Sequence, residues 1–368
     1  MIYLDNAATS FPKPPEVIKA TLDCIKNWCG NSGRSSHALS MKTGEKIYKA
    51  REAVCELLSA PSPERVIFTS GATAALNIAI KTTILPETHV LISDMEHNST
   101  LRPICKLKRT CGVSYSVFNS TGNLAKNIEK LIKSNTKYIV TTVKSNVTGK
   151  EIPLNELSEL ARRHSLKLII DASQMIGHKN INLINTPCDL LAAPAHKGLF
   201  GLQGAGFLVI SDDTIRDSFL EGGSGNESKK TEMPENLPER FEAGTLPSPA
   251  IVSLLSGIEY IKRVGLSEIE EKLELLTERY IEVIRSIKKA VLYECESGII
   301  SFNMGGIPAE IVASELNKRG ICVRAGLHCA PIAHKKLGTQ DIGTVRISLS
   351  YLNSFGEADA VYKALRAL

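Results

Sequence analysis

The chain has 368 residues, of which 43% are hydrophobic and 23% are charged, as is usual for a globular protein of about two or three domains. The net charge of +5 is spread along the sequence and forms no basic block, which argues against binding to nucleic acid. No apolar run is long enough to cross a bilayer, so we expect no membrane association.

The N-terminal segment and the cysteines indicate a reducing compartment. MIYLDNAATSFPKPP has neither the charged nor the apolar region of a signal peptide, so we expect a cytoplasmic protein. Its nine cysteines should therefore stay reduced. Spacings such as Cys24-x4-Cys29 and Cys105-x5-Cys111 lack the close pairing of zinc ribbons, and we expect no metal site.

The middle of the chain alternates short apolar runs with segments of helical spacing. We predict strands at residues 65–70, 89–93, 113–118, 137–143, 166–173 and 204–211. We predict helices between them at residues 73–81, 123–134 and 154–165. Several strands are apolar throughout, which is typical of strands that helices cover on both faces. The alternation predicts an α/β fold with a mainly parallel, doubly wound central sheet.

The pattern changes near residue 222. A polar segment rich in Gly and Pro, 222–239, predicts a long surface loop. A long helix is predicted at 267–290, and the rest of the chain mixes apolar strands with another helix, which indicates a smaller α+β domain. The division that we expect is a large domain at 15–255 and a small C-terminal domain made of 1–14 and 256–368.

Polar residues follow several of the predicted strands, where open α/β sheets bind ligands. The segment SGAT (70–73) leads into a helix, whose free N–H groups and Thr73 hydroxyl suit a phosphate, although Thr73 could simply cap the helix. His97 follows the strand HVLIS, where a lone histidine is more often a hydrogen-bonded loop residue. Asp171 ends the apolar run LKLIID, and its alternative role is to cap the next helix.

Two basic residues lie in apolar surroundings. Lys197 follows His196 in LLAAPAHKG, where desolvation would lower the pKa of its amine and favour Schiff-base chemistry. Arg346 lies in the apolar pattern TVRISLS, which indicates either a carboxylate or phosphate ligand or a structural ion pair. A phosphate cradle, an acidic residue and a Schiff-base lysine are the groups that pyridoxal 5'-phosphate (PLP) requires.

The order and spacing of several motifs resemble the cysteine desulfurase and selenocysteine lyase family, within the class V aminotransferases of PLP fold type I. The motifs are YLDNAAT, SGAT, EH, SNVTG, DASQ, HKG, RFEAGT and RAGLHCAP, and the resemblance covers nearly the whole chain. It implies PLP as the cofactor, L-cysteine or L-selenocysteine as the substrate, and a homodimer with shared active sites.

The resemblance also implies a role for each matching residue. Cys329 matches the catalytic cysteine, Lys197 matches the lysine that binds PLP and moves the Cα proton, and His97 would stack on the cofactor ring. The residues that the resemblance assigns to the cofactor are Ala72, Thr73, His97, Asp171, Gln174, His196, Lys197, Gly244 and Thr245, the last two reaching the phosphate of the neighbouring subunit. The residues that it assigns to the substrate carboxylate are Asn146 and Arg346.

Two positions depart from the family's pattern. Pro194 replaces a Ser or Thr that commonly contacts the phosphate, so we expect modest PLP affinity. Leu246 and Pro247 replace a Pro-Asn pair after Thr245, which makes the contact with the neighbouring subunit less certain. The short RAGLHCAP segment resembles the branch with a short cysteine loop, which implies a sulfur-acceptor protein.

The sequence leaves more than one function open. The leading hypothesis is a PLP-dependent cysteine desulfurase, which converts L-cysteine to L-alanine and forms a persulfide on Cys329. The alternatives are a selenocysteine lyase or another class V PLP enzyme, such as a transaminase, epimerase or sulfinate lyase, in which Cys329 is incidental. A non-catalytic scaffold that binds partner proteins is the alternative from a different class.

Overall fold

The computed structural model describes residues 1–33, 36–211, 215 and 217–368. The strands, in chain order, are β1 (Ile2–Tyr3), β2 (Val66–Thr69), β3 (His89–Ser93), β4 (Ser114–Phe118), β5 (Thr136–Thr142), β6 (Lys167–Asp171), β7 (Leu190–Pro194), β8 (Gly206–Ile210), β9 (Ala290–Leu292), β10 (Ile299–Met304), β11 (Ile321–Cys322), β12 (Arg324–Gly326) and β13 (Thr344–Ser348). The helices are α1 (Pro15–Asp23), α2 (Ala38–Leu58), α3 (Ala72–Thr83), α4 (Asn98–Cys111), α5 (Leu124–Glu129), α6 (Leu154–Arg163), α7 (Ser248–Val264), α8 (Leu266–Arg285), α9 (Ala309–Lys318), α10 (Pro331–Leu337) and α11 (Gly356–Arg366). None of the helices in the described part of the chain combines the length and the apolar composition that a membrane span requires.

Seven strands form the central sheet, in the order β2-β8-β7-β6-β5-β3-β4. β8 is antiparallel to both of its neighbours, and the other paired strands are parallel. The segment 195–205, which joins β7 to β8, is too short for a crossover helix, so β8 must run antiparallel to β7. The predicted α/β fold with a mainly parallel central sheet is confirmed.

Helices cover both faces of this sheet. Alternate side chains of a strand point to opposite faces. On one face, strand residues such as Val90 pack against α3 and α4. On the other face, residues such as Leu91 pack against α2, α6 and α7. Burial on both faces explains why these strands read as continuous apolar runs rather than as alternating patterns.

The predicted strands of the central sheet are confirmed, with ends that differ from the prediction by at most two residues. The prediction missed β7 because its sequence, LLAAP, is rich in alanine, which is depleted in strands. The described residues between β8 and α7 contain no helix or strand, as expected for the polar loop at 222–239.

The C-terminal part contains a four-stranded sheet of order β12-β13-β10-β9. β1 pairs in parallel with β11, and Asp5 forms a bridge with Ser348, so the first residues of the chain pack against this part. The division into 15–255 and 1–14 with 256–368 stays a prediction. Its boundary at residue 255 falls inside the continuous helix α7.

A buried ion pair joins α2 to the loop that precedes α7. The side chains of Arg51 and Glu242 are only 7% and 6% exposed and form a bidentate contact. Glu242 also accepts a hydrogen bond from the backbone N–H of Phe68, at 2.6 Å. Burial raises the pKa of Glu242, whereas the Arg51 charge lowers it. The pair thereby fixes the loop that carries Gly244 against the edge of the central sheet.

We expect Glu242→Gln to lower the free energy of unfolding by about 3 kcal/mol, because the buried Arg51 charge loses its partner. Urea denaturation followed by circular dichroism measures this change. Glu45→Gln is the matched control, since it removes the exposed ion pair of Glu45 with Lys49 and should change the stability little. Equal decreases in the free energy of unfolding of the two variants would show that burial does not make the Arg51–Glu242 pair more important than an exposed pair.

Candidate active site

A cavity of about 220 Å³ lies at the carboxyl ends of the central strands. Its lining residues are Ser70, Gly71, Ala72, Thr73, Ala74, His97, Ser99, Thr142, Asn146, Asp171, Ser173, Gln174, Pro194, His196 and Lys197. Because the carboxyl ends of parallel strands meet at one edge of a sheet, residues that are distant in sequence gather there.

The cavity brings together most of the residues that the sequence singled out. Those that line it are Ala72, Thr73, His97, Asn146, Asp171, Gln174, His196 and Lys197. Those that lie outside its lining are Gly244, Thr245, Cys329 and Arg346. The individual roles of these residues stay predictions.

The helix α3 begins directly after β2, at the cavity. Its N-cap is Gly71, whose φ of 148° is a conformation that favours glycine, and no side chain caps the helix. Thr73 is therefore not the helix cap, which was its alternative role. The first N–H groups of the helix and the Thr73 side chain are left at the cavity wall, where they suit an anionic group.

Lys197 and His196 follow β7 in buried surroundings. Burial lowers the pKa of Lys197 to about 8, with Asp171 opposing this shift and Arg346 and Arg324 adding to it. Burial and the Lys197 charge lower the pKa of His196 to about 4, so the His196 ring is neutral. Its Nδ1 atom is buried and has no hydrogen-bond partner among the described residues. Both side chains therefore offer a polar group to a bound ligand.

Asp171 is the last residue of β6 and is only 3% exposed. Its Oδ1 atom accepts a hydrogen bond from the Ser173 N–H at 2.9 Å, and no helix follows, so Asp171 does not have the capping role considered as its alternative. Gln174 donates from Nε2 to the Ala7 carbonyl at 3.0 Å, which ties the N-terminal segment to the cavity. A buried carboxylate at a cavity wall favours a positively charged ligand group.

His97 lies between β3 and α4 and caps that helix. Its Nδ1 atom accepts a hydrogen bond from the Ser99 N–H at 3.1 Å. Because Nδ1 is an acceptor, the neutral ring carries its proton on Nε2. Burial lowers the pKa of His97, although the Asp171 charge opposes this effect. His97 is thus both a hydrogen-bonded loop residue and part of the cavity wall.

Cys329 lies in the loop between β12 and α10 and is exposed. The loop is fixed by two hydrogen bonds of 2.7 Å, from Asn146 Nδ2 to the His328 carbonyl and from the Asn98 N–H to the Cys329 carbonyl. His328 and Cys329 have φ angles of 49° and 58°, a left-handed conformation that is rare outside glycine. Since Asn146 lines the cavity and Asn98 follows His97, these bonds hold Cys329 beside the cavity.

Arg346 is buried in β13 and has an acidic partner. Its Nη2 atom pairs with Asp5 Oδ1 at 2.5 Å, and its Nη1 atom donates to the Asn146 carbonyl at 3.0 Å. Of the two roles that the sequence left open for Arg346, the structural ion pair is therefore present, with Asp5 as the partner. The Nε atom is buried without a hydrogen-bond partner among the described residues.

Gly244 and Thr245 are exposed and lie apart from this cavity. Gly244 lines a second cavity of about 520 Å³, to which Arg51 and Glu242 also contribute. Thr245 Oγ1 accepts a hydrogen bond from Asn31 Nδ2 at 3.5 Å. The phosphate contact implied for these two residues would therefore need a second subunit.

The structure adds cavity residues that the sequence analysis did not assign. Ser99, Thr142 and Ser173 line the cavity, and each lies at or just beyond the carboxyl end of a central strand. This position was the signal that could have identified them. The described residues contain no group of three or more His, Cys, Asp or Glu side chains that could hold a metal ion.

Comparison with known proteins identifies the family. The model of the class-V aminotransferases matches residues 2–361. A probable cysteine desulfurase of Methanothermobacter thermautotrophicus is 31% identical, over 100% of this chain and 94% of that protein. A cysteine desulfurase of Klebsiella pneumoniae is 29% identical, over 100% of this chain and 93% of that protein.

The fold shows the same relationship. The apo structure of a cysteine desulfurase from Thermococcus onnurineus NA1 has a TM-score of 0.91 to this chain at 30% identity, and the match covers 100% of this chain and 94% of the other. The expected PLP fold type I is confirmed by this likeness. The chain therefore belongs to the class-V aminotransferase family.

Proposed function

We propose that this chain is a PLP-dependent cysteine desulfurase, which converts L-cysteine to L-alanine and leaves a persulfide on Cys329. The observation that carries the proposal is the position of Cys329. Hydrogen bonds from Asn146 and from Asn98, the residue after His97, hold this exposed cysteine beside a cavity lined by Lys197, whose pKa desolvation lowers to about 8. The names of the full-length relatives support the same activity.

The groups that line the cavity fit PLP. The first turn of α3 at Thr73 and the unpartnered Nδ1 of His196 would hold the phosphate. Asp171 would hold the protonated pyridine nitrogen, Gln174 would bind the phenolic oxygen, and Lys197 would bind the aldehyde carbon. When it is bound, PLP supplies an electron sink that makes the Cα proton of an amino acid acidic.

Lys197 is suited to remove that proton. A pKa of about 8 leaves a useful fraction of its amine neutral near pH 7, whereas an ordinary lysine is almost fully protonated there. Arg346 and Asn146 would orient the substrate through its carboxylate, because the Arg346 Nε–H has no other partner among the described residues. His97, whose Nδ1 accepts a hydrogen bond from the Ser99 N–H, would cover the cofactor.

Cys329 then accepts the sulfur. Its thiolate attacks the substrate sulfur, so a sulfur–sulfur bond forms while the bond from Cβ to sulfur breaks. The electron pair of the broken bond is left on the carbon side and ends in a C–H bond of alanine. The net change is L-cysteine plus the Cys329 thiol giving L-alanine plus the Cys329 persulfide, which balances without an external oxidant.

The same proposal includes the partners and the location. The chain would act as a homodimer, in which Gly244 and Thr245 reach the phosphate of the neighbouring subunit. A sulfur-acceptor protein would collect the sulfur, because the hydrogen bonds on both sides of Cys329 limit how far its loop can move. A cytoplasmic location, expected from the sequence, belongs to this proposal as well.

We expect Cys329→Ala to reduce alanine formation from L-cysteine by at least about a hundredfold, because the nucleophile is lost. The absorbance band of bound PLP should be unchanged. Mass spectrometry of the unmodified protein after incubation with L-cysteine should find one additional sulfur on Cys329. Cys29→Ala removes another exposed cysteine and is the matched control, which should retain full activity.

The other outcomes select the alternatives. If Cys329→Ala still releases alanine from selenocysteine or from cysteine sulfinate at the rate of the unmodified protein, the chain is a lyase that does not need the thiol. If the unmodified protein binds no PLP, the scaffold hypothesis replaces the enzyme.

We expect the reactivity of the Lys197 amine in the PLP-free protein to rise with a midpoint near pH 8, because only the neutral amine reacts. Competitive acetylation at a series of pH values, read by peptide mass spectrometry, measures this midpoint. Lys49, whose pKa is raised by Glu45, is the internal control and should stay unreactive over the same range. If the Lys197 amine reacts with the pH midpoint of an ordinary lysine, its pKa is not lowered by desolvation.

We expect Pro194→Ser to strengthen PLP binding by roughly three- to tenfold, because a hydroxyl is added at a wall of the cavity where a phosphate would bind. Absorbance titration of the PLP-free protein measures the dissociation constant. Pro187→Ser changes an exposed proline away from the cavity and should leave the constant unchanged. Equal or weaker binding in Pro194→Ser would show that the proline does not limit the affinity.

A further inference from the structure

Glu96 is a fully buried carboxylic acid that has no role in the chemistry described above. It precedes His97 in the segment between β3 and α4, and its exposed fraction is 0%. It does not line the cavity, whereas His97, which follows it in the chain, and Thr142, to which it is hydrogen-bonded, do. A buried acid without a partner of opposite charge is costly, so its retention calls for an explanation.

The Glu96 carboxyl group continues the sheet where its backbone ladder ends. The paired register of β3 with β5 stops at Ile92 and Val140, before the last residues of these strands. Beyond that point, Glu96 Oε1 accepts a hydrogen bond from the Thr142 N–H at 2.9 Å and another from Ser93 Oγ at 2.5 Å. One side chain thereby replaces the missing contact between the two strand ends.

These strand ends carry residues of the cavity. Thr142 lines the cavity, is in register with Asp171 on β6, and directs its Oγ1 to the Asp171 carbonyl at 3.4 Å. His97 follows Glu96 directly in the chain. Movement of the Glu96 carboxyl group would therefore displace two residues of the cavity wall, His97 and Thr142.

The charges around Glu96 favour the protonated acid. Burial raises the pKa of Glu96 to about 7, and the Asp171 carboxylate on β6 adds to this shift. Hydrogen bonds from Ser93, Thr142 and Thr141 oppose it without reversing it. These three residues are uncharged, so the facing group that carries charge is Asp171, and two adjacent buried carboxylates do not readily ionise together.

We propose that Glu96 is a positioning residue of the cofactor cavity: its carboxyl group ties the end of β3 and the segment after it, which carries His97, to the end of β5 beside Asp171. The inference deepens the proposed function, because it concerns the same cavity. It assigns Glu96 no contact with substrate or cofactor. Its role is to hold in place the two residues that would contact the cofactor ring.

The ionisation of Glu96 makes the stability of the fold depend on pH, which a purely steric role of this side chain would not do. The folded protein holds the Glu96 proton up to about pH 7, whereas the unfolded chain releases it near the ordinary value of 4.5. Between these values the unfolded chain loses its proton first, so the contribution of Glu96 to stability falls as the pH rises. Above about pH 7 both states are ionised and the contribution is constant. Glu96→Gln keeps the hydrogen-bond acceptor and removes the titration.

The experiment compares Glu96→Gln and Glu96→Ala with the unmodified full-length chain. Melting temperatures of the PLP-free proteins are measured from pH 5 to 8, and PLP dissociation constants by absorbance. Relative to the unmodified chain, Glu96→Gln should gain stability as the pH rises, level off above about pH 7, and bind PLP within about threefold. Glu96→Ala should bind PLP about tenfold more weakly, because buried donors of Ser93 and Thr142 lose their acceptor.

Asp94→Asn is the matched control. It removes a carboxylate from the same segment, but one that pairs with Lys336 and bonds to Ser120 outside the cavity. The difference in melting temperature between Asp94→Asn and the unmodified chain should not increase between pH 5 and about pH 7, where Glu96→Gln gains stability. An equal increase of this difference with pH in Asp94→Asn and Glu96→Gln would overturn the proposal.

Two further results would overturn the proposal: a stability difference for Glu96→Gln that does not depend on pH, and a loss of PLP affinity in Glu96→Gln as large as in Glu96→Ala. Should Glu96→Ala not fold, the pH dependence of Glu96→Gln decides alone. The melting temperatures need neither PLP nor L-cysteine, so a protein that fails to desulfurate still tests Glu96. Failure of the proposed function is thereby separate from failure of this inference.

Discussion

The site depends on one constraint, which is that several parallel strands end at the same buried edge of the central sheet. Strand ends leave polar groups without ladder partners, and burial of that edge removes water as an alternative partner. The protein satisfies some of these groups internally, as Glu96 does for Thr142. Another buried polar atom at this edge, Nδ1 of His196, has no hydrogen-bond partner among the described residues. The same desolvation lowers the pKa of Lys197, so architecture and reactivity have a common cause.

The second element of the site is the C-terminal part of the chain, which reaches the cavity through hydrogen bonds rather than through an apolar surface alone. Asn146 contacts it twice, donating to the His328 carbonyl and accepting from Arg346. The N-terminal segment completes the enclosure, because Asp5 pairs with Arg346 and Ala7 accepts from Gln174. A shift of the C-terminal part relative to the sheet would therefore displace Arg346 and the Cys329 loop together.

The sequence predicts the parts of this structure that are encoded locally. Apolar runs predict the strands, and their carboxyl ends predict that His97, Asp171 and Lys197 gather, as they do in the cavity. Partners distant in sequence carry no local signal, so the pairing of Arg346 with Asp5 could not be distinguished from a free ligand-binding arginine. Glu96 has no local signal beyond its place in the EH motif, because the role proposed for it follows from a strand register that periodicity cannot give.

The structure also distinguishes Cys329 from several of the other eight cysteines. Burial raises the pKa of Cys24 and Cys295 to about 12, and it raises that of Cys188 as well, so these thiols stay protonated and are poor nucleophiles. Exposure alone does not select Cys329, since Cys29 is exposed too. Cys329 differs because its backbone is hydrogen-bonded beside the cavity, in a left-handed turn that packing must maintain. Under the proposed function, a loop held in this way would receive sulfur from the cavity and would not carry it far, so an acceptor would have to come to Cys329.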